Sequence, residues 1–171
     1  MAWNPDSLLD FFFYRGERVG RHGNRFFMWK LRTMVRKADK TGGYSVSADD
    51  ARVTGIGRIL RMYHLDEFPN LINVIKGDMA IFGPRPEVPY YVEKMSPEER
   101  EVILSVKPGC VDLATFMNLD EGKQLEGKED PEKYYEEVIW PLKKKKQIES
   151  IQSGFWISIA RCLGSGFLKK A

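Results

Sequence analysis

The chain has 171 residues, enough for one domain with a buried core, and a content of 43% apolar and 12% aromatic residues excludes a disordered polymer. Two cysteines, Cys110 and Cys162, without Cys-x-x-Cys spacing exclude a disulfide scaffold and a zinc ribbon, so a reducing compartment is expected. The formal charge is +3, but Arg15 to Arg61 carries 12 basic residues against 4 acidic ones; that stretch is +8 and the remainder −5, which asks for an anionic partner such as nucleic acid, a phosphorylated small molecule or a lipid surface.

The first 15 residues lack a basic leader and carry Asp6 and Asp10, so no cleavable signal peptide is expected. No uninterrupted apolar run reaches the roughly 18 residues of a complete transmembrane helix. The opening Ser7 to Tyr14 is apolar and aromatic and reads as a strand, or as the stump of a membrane element. His22-Gly23-Asn24 then supplies turn residues between two apolar runs, which predicts a hairpin. Residues 39–50 are small and polar and read as a loop.

Helical spacing follows. Ile56, Ile59, Leu60 and Tyr63 predict one helix, and Leu65, Phe68, Leu71, Ile72 and Ile75 a second. The second is expected to start near Asp66, an N-cap type, to hold Pro69 in its first turn and to end at Lys76-Gly77. Gly83-Pro84-Arg85-Pro86 is a rigid extended turn. Ser96-Pro97 predicts the start of a third helix, stopping before Lys107-Pro108-Gly109, and Glu121 to Asp130 reads as a polar loop. Pro131 opens a last long helix through Tyr134, Tyr135, Val138, Ile139 and Leu142, past Pro141 into the lysine run 143–146. The tail from Phe155 to Leu168 has the aromatic and basic character of a helix lying in a membrane interface. No internal repeat is present.

Several residues could carry chemistry. Asp66-Glu67 sits at a predicted helix start, where backbone N–H groups favour a negative charge, and an ionised carboxylate can attack phosphorus or hold a hard cation. Arg85, fixed between Pro84 and Pro86, presents a guanidinium on a stiff support suited to phosphate. Lys30, Arg32, Arg52, Arg58 and Arg61 could converge on one diphosphate, or form a solvated basic face. Asp78 could be a further acidic metal ligand, and His64 a proton carrier. The lysines at 143–146 could attract anionic headgroups. No Walker loop, Cys/His cluster or Gly-x-Ser-x-Gly elbow is present, which disfavours P-loop nucleotide hydrolysis and serine hydrolysis.

The ordered motifs Lys30-Leu31-Arg32-Thr33-Met34, Arg52-Val53-Thr54, Gly57-Arg58-Ile59-Leu60-Arg61, Leu65 through Met79 and Gly83-Pro84-Arg85-Pro86 resemble the bacterial sugar transferases, the monotopic polyprenyl-phosphate phosphoglycosyl transferases. The resemblance runs from about Phe11 to Gly109 and implies an enzyme on the cytoplasmic face of the bacterial inner membrane. Such an enzyme moves a sugar 1-phosphate from a UDP-sugar to polyprenyl (undecaprenyl) phosphate and releases UMP, an early step of surface polysaccharide or lipopolysaccharide synthesis. It further implies that Asp66 is the nucleophile of a covalent phosphosugar intermediate, with Mg²⁺ present. Glu67 would assist as base or metal ligand, and Arg85 would bind phosphate; the residues read by themselves add Lys30, Arg32, Arg58 and Arg61 to the expected phosphate-binding set and Asp78 to the expected metal ligands. The expected fold is α+β and mainly α, a small N-terminal β-hairpin with a compact helical domain and amphipathic interfacial helices. Residues 1–171 are expected to form a single catalytic domain lacking the re-entrant membrane helix that precedes the hairpin in this family. The expected partners are a UDP-sugar, polyprenyl phosphate and the membrane surface, without nucleic acid, and a homodimer is allowed for. The rival is a non-catalytic basic module that binds anionic lipid or nucleic acid and is indifferent to Asp66→Asn.

Overall fold

The structure, a computed structural model, describes residues 8–38, 42–112 and 121–154. Its hairpin pairs β1 (Phe13–Val19) with β2 (Arg25–Leu31), antiparallel from Phe13↔Leu31 to Val19↔Arg25. The expected turn closes it: His22 (φ 60°) and Gly23 (φ 80°) take left-handed conformations, and the Gly20 N–H donates to Asn24 O at 2.8 Å. The period of two puts Phe26 and Met28 in the core and leaves Phe27 outside. The opening segment differs from expectation. Leu8–Phe12 form a helical turn, α1, and extended structure begins only at Phe13. This turn is tied to the hairpin where the Arg32 N–H donates to Phe12 O at 2.7 Å.

The described part of the polar loop, 42–50, carries no helix or strand. The chain returns through a bridge at Met34↔Val53 to α2 (Gly55–Met62). Thr54 caps this helix by accepting from the Gly57 N–H at 3.0 Å. Gly57 is obligatory, because a Cβ there would lie 2.0 Å from Thr33 O.

One expected helix is two elements. His64 turns the chain in a left-handed conformation (φ 53°), Leu65–Asn70 form a 3-10 segment, and α3 follows at Leu71–Lys76. Pro69 lies inside the 3-10 segment and can donate to neither Leu65 O nor Asp66 O, so the regular α-helical ladder runs only beyond it, from Leu71. The stop falls where expected, at Gly77 (φ 81°). Asn73 docks α3 on β2 by accepting from the Trp29 N–H at 3.0 Å and donating to Phe27 O at 2.8 Å.

Beyond it, β3 (Ala80–Phe82) pairs in parallel with β4 (Gly109–Val111). Between these lie the Pro84–Pro86 turn, α4 (Pro89–Glu93), for which the sequence pattern gave no signal, and α5 (Pro97–Ile103). The Ser96 cap is a reciprocal box: Ser96 Oγ accepts from the Glu99 N–H and the Glu99 carboxylate accepts from the Ser96 N–H. The expected loop at 121–130 is a correction, since Glu121–Leu125 form α6 and bury Leu125. The last long helix appears as expected but in three parts: α7 (Pro131–Tyr134), a π-helical turn (Tyr135–Ile139) and α8 (Trp140–Ser153). Pro141 cannot donate and its ring crowds the preceding turn, which the wider π turn relieves.

The main core joins Val19 of the hairpin to Tyr91, Val92, Met95, Ile103, Leu125, Tyr135, Ile139 and Trp140. Tyr91 lies 5.4 Å from Tyr135 and 5.1 Å from Trp140 between ring centroids, so aromatic packing joins α4 to the final helix. A smaller core gathers Phe26, Met28 and Met79 between hairpin and α3. The fold is therefore α+β and mainly α, with a small N-terminal hairpin.

The apolar stripes of α2 and α3 do not point into either core. Ile56 (74% exposed), Met62 (70%), Phe68 (71%) and Ile75 (86%) stand at the surface with Ile59, Tyr63 and Leu65. Among the described residues nothing buries this face. Among the described residues no helix is long and apolar enough to cross a membrane. The expected interfacial tail, 155–168, lies outside the described residues.

Candidate active site

Three segments far apart in sequence meet at Glu67. The 3-10 segment packs along β2, so Lys30, near the strand's end, places Nζ 2.8 Å from Glu67 Oε1. The proline-bound Arg85 approaches from the opposite segment: Nη1 donates to Glu67 Oε2 at 3.0 Å and Nη2 to Oε1, a bidentate pair. All three side chains are less than one third exposed (Lys30 17%, Glu67 19%, Arg85 30%). Burial opposes ionisation of Glu67, but the charges of Arg85 and Lys30 and their hydrogen bonds outweigh it and hold the carboxyl far below the usual range. For Lys30, burial and the Arg85 charge outweigh Glu67 and push the ammonium down to about 8. For Arg85, Glu67 outweighs burial and locks in the cation.

Asp66 differs from its neighbour. It is buried to 7% exposure, yet among the described residues its carboxylate has no hydrogen-bond or ion-pair partner. Arg61, whose Nε donates to Thr33 Oγ1 at 2.9 Å, interacts with Asp66 through its charge; burial lowers the basicity of its guanidinium, and Asp66 and Asp50 offset this in part. The adjacent carboxylates are thus an engaged one, Glu67, and a free one, Asp66.

The remaining expected site residues divide. Arg58 lies exposed on α2 and makes no ion pair among the described residues. Arg32 is not brought to the group; its guanidinium donates to Asp10 O at 2.8 Å and Phe13 O at 3.2 Å, tying α1 to the hairpin. Arg52 is clamped on Asp50 at 2.7 Å. Asp78 lies just past the α3 terminus and accepts from Asn73 Nδ2 at 3.2 Å. Among the described residues no three Asp, Glu, His or Cys side chains gather as a metal site. Pro84 and Pro86 flank Arg85 as expected, and the turn is pinned where the Gly109 N–H donates to Pro84 O at 2.9 Å. His64 serves the backbone turn. Of the lysine run, Lys143 is buried on Glu87 and Glu121, both at 3.2 Å, Lys144 is paired with Glu99 at 2.8 Å and Lys146 lies 3.7 Å from Glu149, so three of the four have acidic partners within the chain.

Sequence reasoning missed Arg18. In the register of the hairpin Arg18 lies opposite Phe26 while Tyr14 lies opposite Lys30, so Arg18 and Lys30 share one face. Burial and the neighbouring Arg85 charge lower its basicity, partly offset by Tyr14, Glu87 and Glu67. The period of two from Lys30 across the turn was the signal that could have found it. Lys30 and Arg85 thus pair with Glu67, and Arg18 lies within electrostatic reach of both Glu67 and Glu87, beside Asp66, whose carboxylate is unpaired among the described residues. Such a site suits an anionic phosphate ester approached by a nucleophile.

Residues 7–142 match the family described as Bacterial sugar transferase, and the chain belongs to that family. A relative from Bacillus subtilis (strain 168), provisionally named an undecaprenyl-phosphate N-acetylgalactosaminyl 1-phosphate transferase, is 47% identical over 85 residues, covering 50% of this chain and 48% of the relative. The undecaprenyl-phosphate galactose phosphotransferase of Salmonella typhimurium is 36% identical over 115 residues, 58% of this chain and 24% of that protein. The UDP-glucose:undecaprenyl-phosphate glucose-1-phosphate transferase of Caulobacter vibrioides is 36% identical over 115 residues, 65% and 42% respectively. The chain spans about half the length of the first of these relatives and less of the other two.

Proposed function

We propose that this domain transfers a sugar 1-phosphate from a UDP-sugar to undecaprenyl or a related polyprenyl phosphate, with UMP as the leaving product. The observation that carries the reading is the pair of adjacent carboxylates, one locked between Lys30 and Arg85 and the other, Asp66, buried and unpaired among the described residues. Family membership and the names of the relatives support the substrate classes.

In this reading an Asp66 oxygen attacks the sugar-bearing phosphorus of the donor. The P–O bond to the nucleoside monophosphate breaks, UMP leaves with the electron pair, and an aspartyl phosphosugar forms. A phosphate oxygen of the polyprenyl phosphate then attacks the same phosphorus, the acyl-phosphate bond breaks, and Asp66 returns as carboxylate. Arg85 and Lys30, preorganised on Glu67, neutralise the charge on the diphosphate oxygens, and Arg18 adds a third cation on the same face. With both cations on it, Glu67 orients them; it is not poised as a proton acceptor.

Mg²⁺ would supply Lewis-acid neutralisation of the diphosphate. Asp66 fits as a protein ligand because its carboxylate is unpaired among the described residues, and a magnesium site of one or two carboxylates plus substrate phosphates needs no larger cluster. Asp78 is already held by Asn73, and Glu67 by the two cations.

The exposed face of Ile56, Met62, Phe68 and Ile75, continuous with the 3-10 segment that carries Asp66, would lie in the membrane interface, bringing the site to the headgroup level where a polyprenyl phosphate presents its anion. A UDP-sugar donor places this on the cytoplasmic face of the bacterial inner membrane. The test is transfer itself: purified chain, Mg²⁺, UDP-N-acetylgalactosamine, UDP-galactose and UDP-glucose in parallel, and undecaprenyl phosphate in detergent, with UMP quantified. UMP released in step with lipid-linked sugar phosphate by the wild type, and by no Asp66→Asn sample, is expected. Equal turnover by Asp66→Asn would overturn the assignment.

A further inference from the structure

Arg85 is held from behind as well as from the front. Its own carbonyl accepts from Gln147 Nε2 at 3.3 Å, a contact 62 residues away in sequence. Two residues on, Glu87 is buried (6% exposed) and its Oε1 lies 3.2 Å from Lys143 Nζ, while the Glu87 carbonyl accepts from the Val19 N–H at 3.0 Å. Lys143 is itself 5% exposed, with Glu121 at 3.2 Å and Tyr135 Oη accepting its N–H at 3.0 Å. Burial alone would discharge Lys143, but Glu87, Glu121 and Tyr135 outweigh it. Lys143 and Gln147 are four residues apart on α8, one turn on one face. A buried charge and a buried amide are costly to retain in a helix that already packs through Trp140 and Ile139.

We propose that Gln147 and Lys143 are positioning residues, through which α8 grips both ends of the Arg85–Glu87 segment and sets the reach of the Arg85 guanidinium toward the donor diphosphate. The inference rests on the proposed role of Arg85 in phosphate binding. It explains why two polar groups on the buried face of α8 converge on the backbone and neighbour of one arginine. Pro84 and Pro86 stiffen the segment along the chain, Gly109 and Val19 hold its backbone through Pro84 O and Glu87 O, and α8 adds side-chain anchors at the Arg85 carbonyl and the Glu87 carboxylate.

The experiment is calorimetric titration of UDP in the presence of Mg²⁺ into the full chain, in a double-mutant cycle of Gln147→Met and Arg85→Ala. Gln147→Met keeps the volume and removes the donor, and is expected to weaken UDP binding about 3- to 10-fold, the value of one hydrogen bond, at unchanged stoichiometry. In the Arg85→Ala background the same change is expected to have no effect, because the two act through one group. Lys143→Met is the harsher variant and is expected to weaken binding further where it folds; the Gln147 cycle decides whether or not it does. Additive effects, an unchanged dissociation constant in Gln147→Met, or a lower stoichiometry at unchanged affinity would each reduce Gln147 to a structural residue and overturn the inference. Full affinity in Arg85→Ala, or no UDP binding by the wild type, would instead refute the proposed role of Arg85 and the inference with it.

Discussion

Removing the charge of Glu67 is the most informative single perturbation. Glu67→Gln keeps the shape of the side chain and one acceptor oxygen, but leaves Lys30 and Arg85 facing each other without their shared anion. Three charge-assisted hydrogen bonds converge on this carboxylate, and all three side chains are less than one third exposed. Breaking a buried ion pair by removing one partner costs about 3–5 kcal/mol. The retained acceptor and the partial exposure place this variant near about 3 kcal/mol. For a chain of this size that corresponds to a fall of about 6–12 °C in melting temperature. Thermal unfolding at pH 7, followed by circular dichroism, measures it. Since Glu67 is what raises the Lys30 basicity against burial and Arg85, the variant should also titrate Lys30 below its value of about 8. An unchanged melting temperature would show that Glu67 does not hold the two cations, and the account of the site would fail at its base.

The same ammonium gives a pH prediction. Protonated Lys30 is the form that binds phosphate, so UDP affinity should be constant below about pH 8 and fall above it by up to tenfold per unit, while Lys30→Arg should extend the plateau. The stability sign runs the other way: the lowered value means the unfolded chain binds the proton more tightly between about 8 and 10.5, so this residue's contribution to stability rises with pH across that window. Asp66→Asn removes no hydrogen bond or ion pair made by the described residues, so its melting temperature should stay within about 3 °C of wild type while transfer is lost; a large loss of stability would reveal a structural role. Asn73→Ala removes three hydrogen bonds in a fully buried position and should cost about 2–4 kcal/mol in urea denaturation, and a cost under about 0.5 kcal/mol would contradict the docking of α3 on β2. Ile75→Glu, at an 86% exposed position, should leave unfolding unchanged and reduce sedimentation with phosphatidylglycerol vesicles several-fold, whereas unaltered vesicle binding would separate the apolar face from the membrane.

What the sequence disclosed depended on how local the physics was. His22-Gly23-Asn24, Ser96-Pro97 and Gly77 announced their turn, cap and stop because each acts within a few residues through its own backbone preferences. The split helix at Pro69 and the π turn before Pro141 were harder, since a proline states what is forbidden and leaves open which wider or tighter turn replaces it. The α6 segment Glu-Gly-Lys-Gln-Leu carries no periodic signal, and burial of one residue, Leu125, accounts for it. In the site, Asp66, Glu67 and Arg85 stood out from neighbouring residues alone. That Lys30 meets Glu67 across 37 positions, that Arg32 turns away to α1, and that Lys143 is buried on Glu87 are consequences of tertiary packing. The apolar stripes of α2 and α3 show the same boundary: the pattern states that a face is apolar, and the fold decides which medium it meets.

In the proposed reaction Asp66 becomes covalently bonded to phosphorus. The most direct measurement is the intact mass of the chain after incubation with Mg²⁺ and each of a panel of UDP-sugars, without lipid acceptor. A mass increase of one sugar phosphate is expected with the productive donor, discharged on adding undecaprenyl phosphate and absent in Asp66→Asn. An adduct that persists in Asp66→Asn, or transfer to lipid by that variant at the wild-type rate, would contradict that reaction.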